Sequence, residues 1–338
     1  MTTNGDDRFT IIMAGGDGTR LRPFVRSLRQ KPLPKQYVNF IGRRSMLEHT
    51  IDRARKIIPL ERIFAVVSQA HLDIPEAREQ LAKLPRENIV VQPLNRGTWP
   101  GLLLPLARIY ADCDDPKVVT FPADHFIEDE EIFLAHVAFA LLKIEEQPAR
   151  MVLLGVTPDD PDPELGYIVP RKPSASANRG FLPIKEFIEK PSPHRAKELL
   201  DKGALWNTLI LVAKAKTLLT YTRAIAPELF RAFAQMKQAV GPSGDPDALE
   251  RIYQSMAEMN LSHGLLEKLP RRQPWSLLTL PVSGIMWSDW GSRRRLLAAL
   301  AKSGYRFRLH RHTEEWALAR PVKRPRPIVL RQENFKAK

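Results

Sequence analysis

Short apolar runs rich in β-branched residues alternate with longer amphipathic stretches through the first half of the chain, and no other feature constrains the fold as much. "FTIIMAG", "RIFAVVS", "NIVVQP", "KVVTFPAD" and "RMVLLGV" have the length and composition of strands. The stretches near "MLEHTIDRARKII", "PEAREQLAKL", "LLLPLARIYA" and "EIFLAHVAFALLKIE" read as helices. Strand and helix in repeated succession predict an α/β fold with a mainly parallel sheet flanked by helices. Such sheets bind ligands at the carboxyl ends of their strands, so the residues just past each apolar run are the candidates for function. After about residue 157 the pattern becomes mixed, with proline-rich loops, the run "LPIKEFIEKP", helical stretches near 193–202 and 245–268, and "WSDWGS". "GPSGDPD", 241–247, reads as an internal loop or hinge.

Composition narrows the classes. The 338 residues are 43% hydrophobic, enough for a large buried core. No apolar run approaches the roughly 18 to 20 residues that span a bilayer, and "MTTNGDDRF" lacks the basic and apolar regions of a signal peptide. A cytoplasmic protein without a membrane span is the expectation. The single cysteine, Cys113, excludes an intramolecular disulfide and a cysteine-based zinc cluster, and reads as an inert thiol. The net charge of +14 is unevenly spread: residues 306–338 hold ten Lys/Arg against three Asp/Glu, leaving +7 in a tail without apolar periodicity. This basic, proline-rich tail reads as a solvated extended segment, with a polyanion as its alternative partner. Oligomeric state is not legible; a homo-oligomer is compatible with the sequence.

The stretch "IIMAGGDGTRLRP", residues 11–23, sets glycines directly after a strand. It is not a Walker A loop, since the Lys-Ser/Thr pair is absent, nor a dinucleotide fingerprint, since Leu21 stands where the third glycine belongs. What remains is a turn of Gly15, Gly16, Gly18 and Thr19 whose backbone N–H groups can approach phosphate oxygens, followed by the cations Arg20 and, in "LPKQY", Lys35. Asp124 in "VVTFPADHFIED" lies just past a strand and by itself would pass for a turn or cap aspartate. Its neighbour His125 points the opposite way in an extended segment and reads as structural.

In this order the residues resemble the sugar-1-phosphate nucleotidyltransferases, whose opening reads Gly-Gly-x-Gly-Thr-Arg-Leu and then Pro-Lys-Gln. The resemblance extends over about residues 8–300 and implies a Rossmann-like, three-layer α/β/α (GT-A-like) fold with a mainly parallel mixed sheet. It implies a catalytic domain over 1–305, with a nucleotide-binding half of about 8–157 and a sugar-binding half of about 158–305, ahead of the tail 306–338. In such enzymes the glycine turn holds a nucleoside triphosphate, and Arg20 and Lys35 would neutralise the charge that grows as pyrophosphate leaves, electrostatic work that nucleotidyl transfer needs. Asp124 and Asp289, the latter in the family's Trp-x-Asp-x-Gly motif, would hold Mg²⁺, a hard cation bound through one or two carboxylates.

"FIEKP" matches the place where a glutamate, here Glu189, meets sugar hydroxyls and a lysine, here Lys190, meets the sugar phosphate. Gly166 and Tyr167 in "ELGYIV" and Asn207 in "LWNTLILV" fall where the family contacts the sugar. After that asparagine the family carries a small residue and a glycine, and this chain carries Thr208 and Leu209. "VVQPLNRGTWPGLLLPLA" resembles the base-reading segment of mannose-1-phosphate guanylyltransferases: Arg96, Thr98 and Pro100 match, Gly97, Trp99 and Gly101 do not. The resemblance thus implies Gln92, Arg96, Gly97 and Thr98 at the nucleotide. A Gln92 amide pairs with a uracil or thymine edge as well as with guanine, but "WSDWGS", "FPADHFI" and "LWN" resemble the guanylyl branch, so the reading is guanylyl transfer to mannose 1-phosphate, with thymidylyl or uridylyl transfer to glucose 1-phosphate as the alternative. A non-catalytic regulatory homologue is the alternative from another class.

Overall fold

The structure is a computed structural model that describes residues 7–171, 180–240 and 244–305. The basic tail 306–338, most of "MTTNGDDRF" and residues 241–243 of the expected hinge lie outside these residues.

The strands are β1 (Arg8–Met13), β2 (Ile63–Ser68), β3 (Ile89–Gln92), β4 (Lys117–Pro122), β5 (Phe126–Ile127), β6 (Met151–Val156), β7 (Tyr167–Pro170), β8 (Leu182–Ile188), β9 (Leu205–Lys214), β10 (Leu277–Val282) and β11 (Trp287–Ser288). Nine of them form one sheet in the order β3-β2-β1-β4-β9-β6-β10-β8-β7, while β5 and β11 pair as a separate ribbon. Strands β3, β2, β1 and β4 pair in parallel, as do β6 and β10, and β9 runs antiparallel between β4 and β6. The expected mainly parallel mixed sheet is therefore present. Because β9 belongs to the second half of the chain and lies between strands of the first, the two halves share one sheet and end on one cleft.

The helices are α1 (Arg22–Arg29), α2 (Met46–Arg55), α3 (Pro75–Leu81), α4 (Thr98–Ile109), α5 (Glu130–Glu146), α6 (Pro193–Asp201), α7 (Ala215–Ile225), α8 (Pro227–Ala239), α9 (Pro246–Ser255), α10 (Leu269–Arg272) and α11 (Arg293–Lys302). They cover both faces of the sheet. Successive strand residues face opposite ways, so the fully buried neighbours Ile11 and Ile12 enter different cores. Ile12 joins the layer of α2, α5 and α11; Ile11 joins that of α4, α7 and α8. With helices on both sides, β2 and β6 are buried along their whole length, which is why they read as unbroken apolar runs.

One helical expectation is corrected. The stretch 245–268 is not one helix: α9 stops at Ser255, and a π-type turn follows only at Ser262–Leu266. Between them the backbone is committed elsewhere. Met259 donates to the Arg96 carbonyl and accepts from the Trp99 N–H, while Asn260 Oδ1 caps the Ser262 N–H. These bonds outweigh helical propensity. Helices α1, α7, α8, α10 and α11 are additions to the sequence expectation. No described helix is long and apolar enough to cross a membrane.

Candidate active site

The chain leaves β1 at Met13 and turns through the glycines. Buried Gln36 fixes that turn, its Nε2 donating to the carbonyls of Ala14 and Gly16, each at 2.8 Å. Gly18 takes φ +58°, which favours glycine. A Cβ at Gly15 would stand 2.5 Å from the Gln92 amide nitrogen, so glycine lets the turn pass against the end of β3. The turn then leads into α1.

Two clusters of opposite charge meet beside it. Lys35 Nζ lies 3.0 Å from Asp124 Oδ2 and donates to the Asp289 carbonyl at 2.8 Å, bridging the end of β4 to the turn after β11. Arg295, in the first turn of α11, holds the Asp289 side chain: Nη2 donates to Oδ2 at 3.1 Å and Nε stands 2.8 Å from Oδ1. The same guanidinium reaches Asp162 (3.0 Å) and Glu164 (2.8 Å), and Glu164 also pairs with Arg20 at 3.3 Å. Burial works to raise the Asp289 carboxyl, but Arg295, Lys35, His125 and the Gly291 N–H outweigh it and hold it below its usual range. His125 is buried edge-on against Trp287, and burial pushes its pKa down to about 4.

Glu189 and Lys190 follow β8, with Lys190 Nζ 3.7 Å from Glu189 Oε1. Burial raises the Glu189 carboxyl. A Cβ at Gly166 would stand 2.6 Å from Glu189 Oε2, so that glycine admits the carboxylate. Asn207 Oδ1 accepts the Leu209 N–H at 2.9 Å, and Leu209 adopts φ +55° in a bulge of β9. At the other end of the cleft Gln92 is buried, and its amide oxygen has no hydrogen-bond partner among the described residues. Altogether Gly15, Gly16, Arg20, Lys35, Gln92, Gly97, Thr98, Asp124, Gly166, Glu189, Lys190, Asn207 and Asp289 line one cavity of about 430 Å³.

Residues 9–304 match the nucleotidyl transferase family. The chain belongs to that family. The chain is 28% identical over 298 residues to a mannose-1-phosphate guanylyltransferase of Escherichia coli, covering 87% of this chain and 60% of that protein. It is 29% identical over 304 residues to the alginate biosynthesis protein AlgA of Pseudomonas syringae pv. tomato, covering 87% and 59%. The chain thus spans about three fifths of the length of these curated relatives. A solved structure described as a mannose-1-phosphate geranyltransferase from Thermus thermophilus superposes with a TM-score of 0.72 at 24% identity, over 89% of this chain and 81% of that one, and shares the fold.

The structure takes four expected residues out of the cavity lining. Arg96 turns away: Nε donates to the Tyr253 carbonyl at 2.7 Å and Nη2 to that of Gln254 at 2.9 Å, so it ties the loop before α4 to α9. Tyr167 is buried in the core with its hydroxyl on the Asp162 carbonyl, and Thr19 stands exposed beyond the turn. Gly18 also lies behind the lining, packed on Lys35. Sequence reasoning missed four residues around the site: Glu164, Glu258 and Asn260, which line the cavity, and Arg295, which grips Asp289. None carried a signal. Glu164 and Glu258 look like surface acids, Asn260 like a cap, and Arg295 like part of a solvated basic run.

Proposed function

We propose that this chain transfers a nucleotidyl group from a nucleoside triphosphate to a hexose 1-phosphate, releasing pyrophosphate, with GTP and mannose 1-phosphate as the substrates. The reading is carried by one observation: the glycine turn, Arg20, Lys35, Asp124 and Lys190 share a single cavity with Gln92 at one end and Glu189 and Asn207 at the other. The phosphate oxygen of the sugar attacks the α-phosphorus in line. It is already ionised at neutral pH, so no general base is required. Lys190 holds the attacking phosphate, and Arg20 with Lys35 stabilises the departing pyrophosphate. Glu189 and Asn207 orient the sugar hydroxyls. The unpartnered Gln92 oxygen is an acceptor for a donor on the base, and guanine offers N1–H and N2–H₂ there. The names of the E. coli and other guanylyltransferase relatives support the same pair of substrates. These substrates put the proposed activity in the cytoplasm.

Asp124 fits a magnesium ion. Lys35 engages its Oδ2, while the ion-pair neighbour of Oδ1 is the His125 ring, at 3.9 Å. Mg²⁺ is held by one or two carboxylates plus substrate phosphates, and when bound it supplies charge neutralisation on the triphosphate. Pyrophosphate release over a grid of four NTPs and several hexose 1-phosphates, with Asp124→Ala as control, tests the proposal. GTP with mannose 1-phosphate should give the strongest signal and the control none. A signal with UTP or TTP and glucose 1-phosphate corrects the substrates, and silence across the grid from folded, nucleotide-binding protein refutes catalysis.

A further inference from the structure

Asp289 enters the family motif as a carboxylate for the metal, yet its carboxylate is engaged. Both oxygens stand within 3.1 Å of Arg295, and Oδ1 also accepts the Gly291 N–H at 3.0 Å. The grip is built in. A Cβ at Gly291 would stand 2.2 Å from Arg295 Nη2 and 2.5 Å from Asp289 Oδ2, so the glycine leaves room for the pair in this arrangement. Arg295 is 8% exposed and sits three residues past the Ser292 cap of α11, among three arginines and no acid in that first turn. Cations at a helix N-terminus oppose the macrodipole, so the local sequence alone does not favour an arginine there. Its place follows from the acids around it. Asp162, Glu164 and Asp289 converge on the one guanidinium, and planar arginine, always charged, suits a multi-acid site better than lysine.

We propose that Arg295 is a resident cation that keeps Asp289 out of metal coordination, so that Asp124 is the sole protein carboxylate offered to the divalent ion. Asp289 then acts as a positioning residue: its carbonyl holds Lys35 Nζ at 2.8 Å, and its side chain anchors α11. The inference rests on the transferase reading for the ion's purpose, but not for its binding.

Mn²⁺ titration of substrate-free protein, followed by the paramagnetic signal of the free ion, tests it without turnover. Arg295→Met frees a carboxylate beside Asp124, and Mn²⁺ should bind about tenfold more tightly, the scale on which groups around a metal site act. Arg295→Met with Asp289→Asn removes the pair at constant net charge and should return to the wild-type affinity. Asp162 keeps Arg294 at 2.8 Å and Glu164 keeps Arg20, so neither acid is left without a cation. A gain in binding is a result that structural damage does not produce. Arg295→Met no tighter than wild type overturns the proposal, even where the wild type is too weak to measure. So does a double variant about tenfold weaker than wild type, which would make Asp289 a ligand already. If Arg295→Met fails to fold, Arg295→Lys, which keeps the charge without the fork, carries the same expectation with a smaller gain. Pyrophosphate release is scored separately, so an inactive protein with the expected Mn²⁺ pattern faults the transferase reading and not this one.

Discussion

Replacing Gly97 by alanine tests whether the loop before α4 is locked as the structure describes. Gly97 has φ +89° and ψ 179°, a region essentially confined to glycine, where a side chain costs about 1–3 kcal/mol. Its added Cβ would also meet the Met259 backbone, with the carbonyl oxygen at 2.5 Å and the carbon at 2.9 Å. The chain must accept that strain or open the junction. Opening gives up the Met259 to Arg96 bond (2.9 Å), the Trp99 to Met259 bond (3.1 Å) and the Leu261 to Thr98 Oγ1 bond (2.8 Å). At about 1 kcal/mol each, either route costs about 3 kcal/mol. Gly42→Ala is the control, since Gly42 has φ +66° and nothing within 4 Å of a built Cβ, leaving about 1 kcal/mol of backbone strain. Urea unfolding of both variants reads the difference, and nucleotide KM reads its effect on the cleft. Gly97→Ala should unfold at clearly lower urea than Gly42→Ala and raise KM for the triphosphate. Equal midpoints and an unchanged KM would refute the locked junction.

Lys35→Met should lower turnover about 10²- to 10³-fold with little change in nucleotide Kd, because its charge matters most as pyrophosphate departs; steady-state kinetics beside equilibrium binding separates the two. Glu189→Gln relieves a carboxylate whose pKa is raised by burial, so the ligand-free protein should melt higher by about 1 kcal/mol or less, while KM for the hexose 1-phosphate rises. His49 and His71 are held below the usual 6.5, first of all by burial. The unfolded chain therefore binds their protons first, and stability present above 6.5 falls as pH drops below it. Urea midpoints measured down that range should decline, less steeply in His49→Gln. Removing residues 306–338 should leave pyrophosphate release intact and abolish any salt-sensitive binding to polyanions; loss of turnover would tie the tail to the cleft.

The strands of the first half were legible because burial on both faces writes them as short apolar runs, and the glycine turn, Asp124 and the Glu189–Lys190 pair were legible because they follow β1, β4 and β8 closely. What could not be read is where long-range backbone bonds override a local pattern. Arg96 sits in a nucleotide-binding motif, but its guanidinium finds the Tyr253 and Gln254 carbonyls more than 150 residues away. The departure after Asn207 has a similar explanation. Thr208 donates its hydroxyl to the Leu154 carbonyl, and the Leu209 carbonyl accepts from Thr120, so the bulge is held by bonds that do not need glycine. Leu209 takes the left-handed conformation anyway, at a strain of roughly 1 kcal/mol. Arg295 was invisible because its acids come from 162, 164 and 289, which only the shared sheet brings together.

That convergence bears on how the cleft can stay open to anions. Its three candidate phosphate cations each stand beside an acid: Arg20 by Glu164, Lys35 by Asp124 and Lys190 by Glu189. Like charges gathered without such partners would repel one another and strain the empty site. The partners are unequal. Arg20 and Lys190 are about half exposed, at 53% and 51%, so their pairs are screened and a phosphate displaces the acid at little cost. Lys35 is 13% exposed and also bound to a backbone carbonyl, so it stays in place and meets the charge that develops in the reaction. Arg20 and Lys190 should therefore weigh more on substrate affinity than Lys35 does, and Lys35 more on the rate. An Arg20→Gln variant that lost turnover at saturating substrate while keeping its KM would reverse that division.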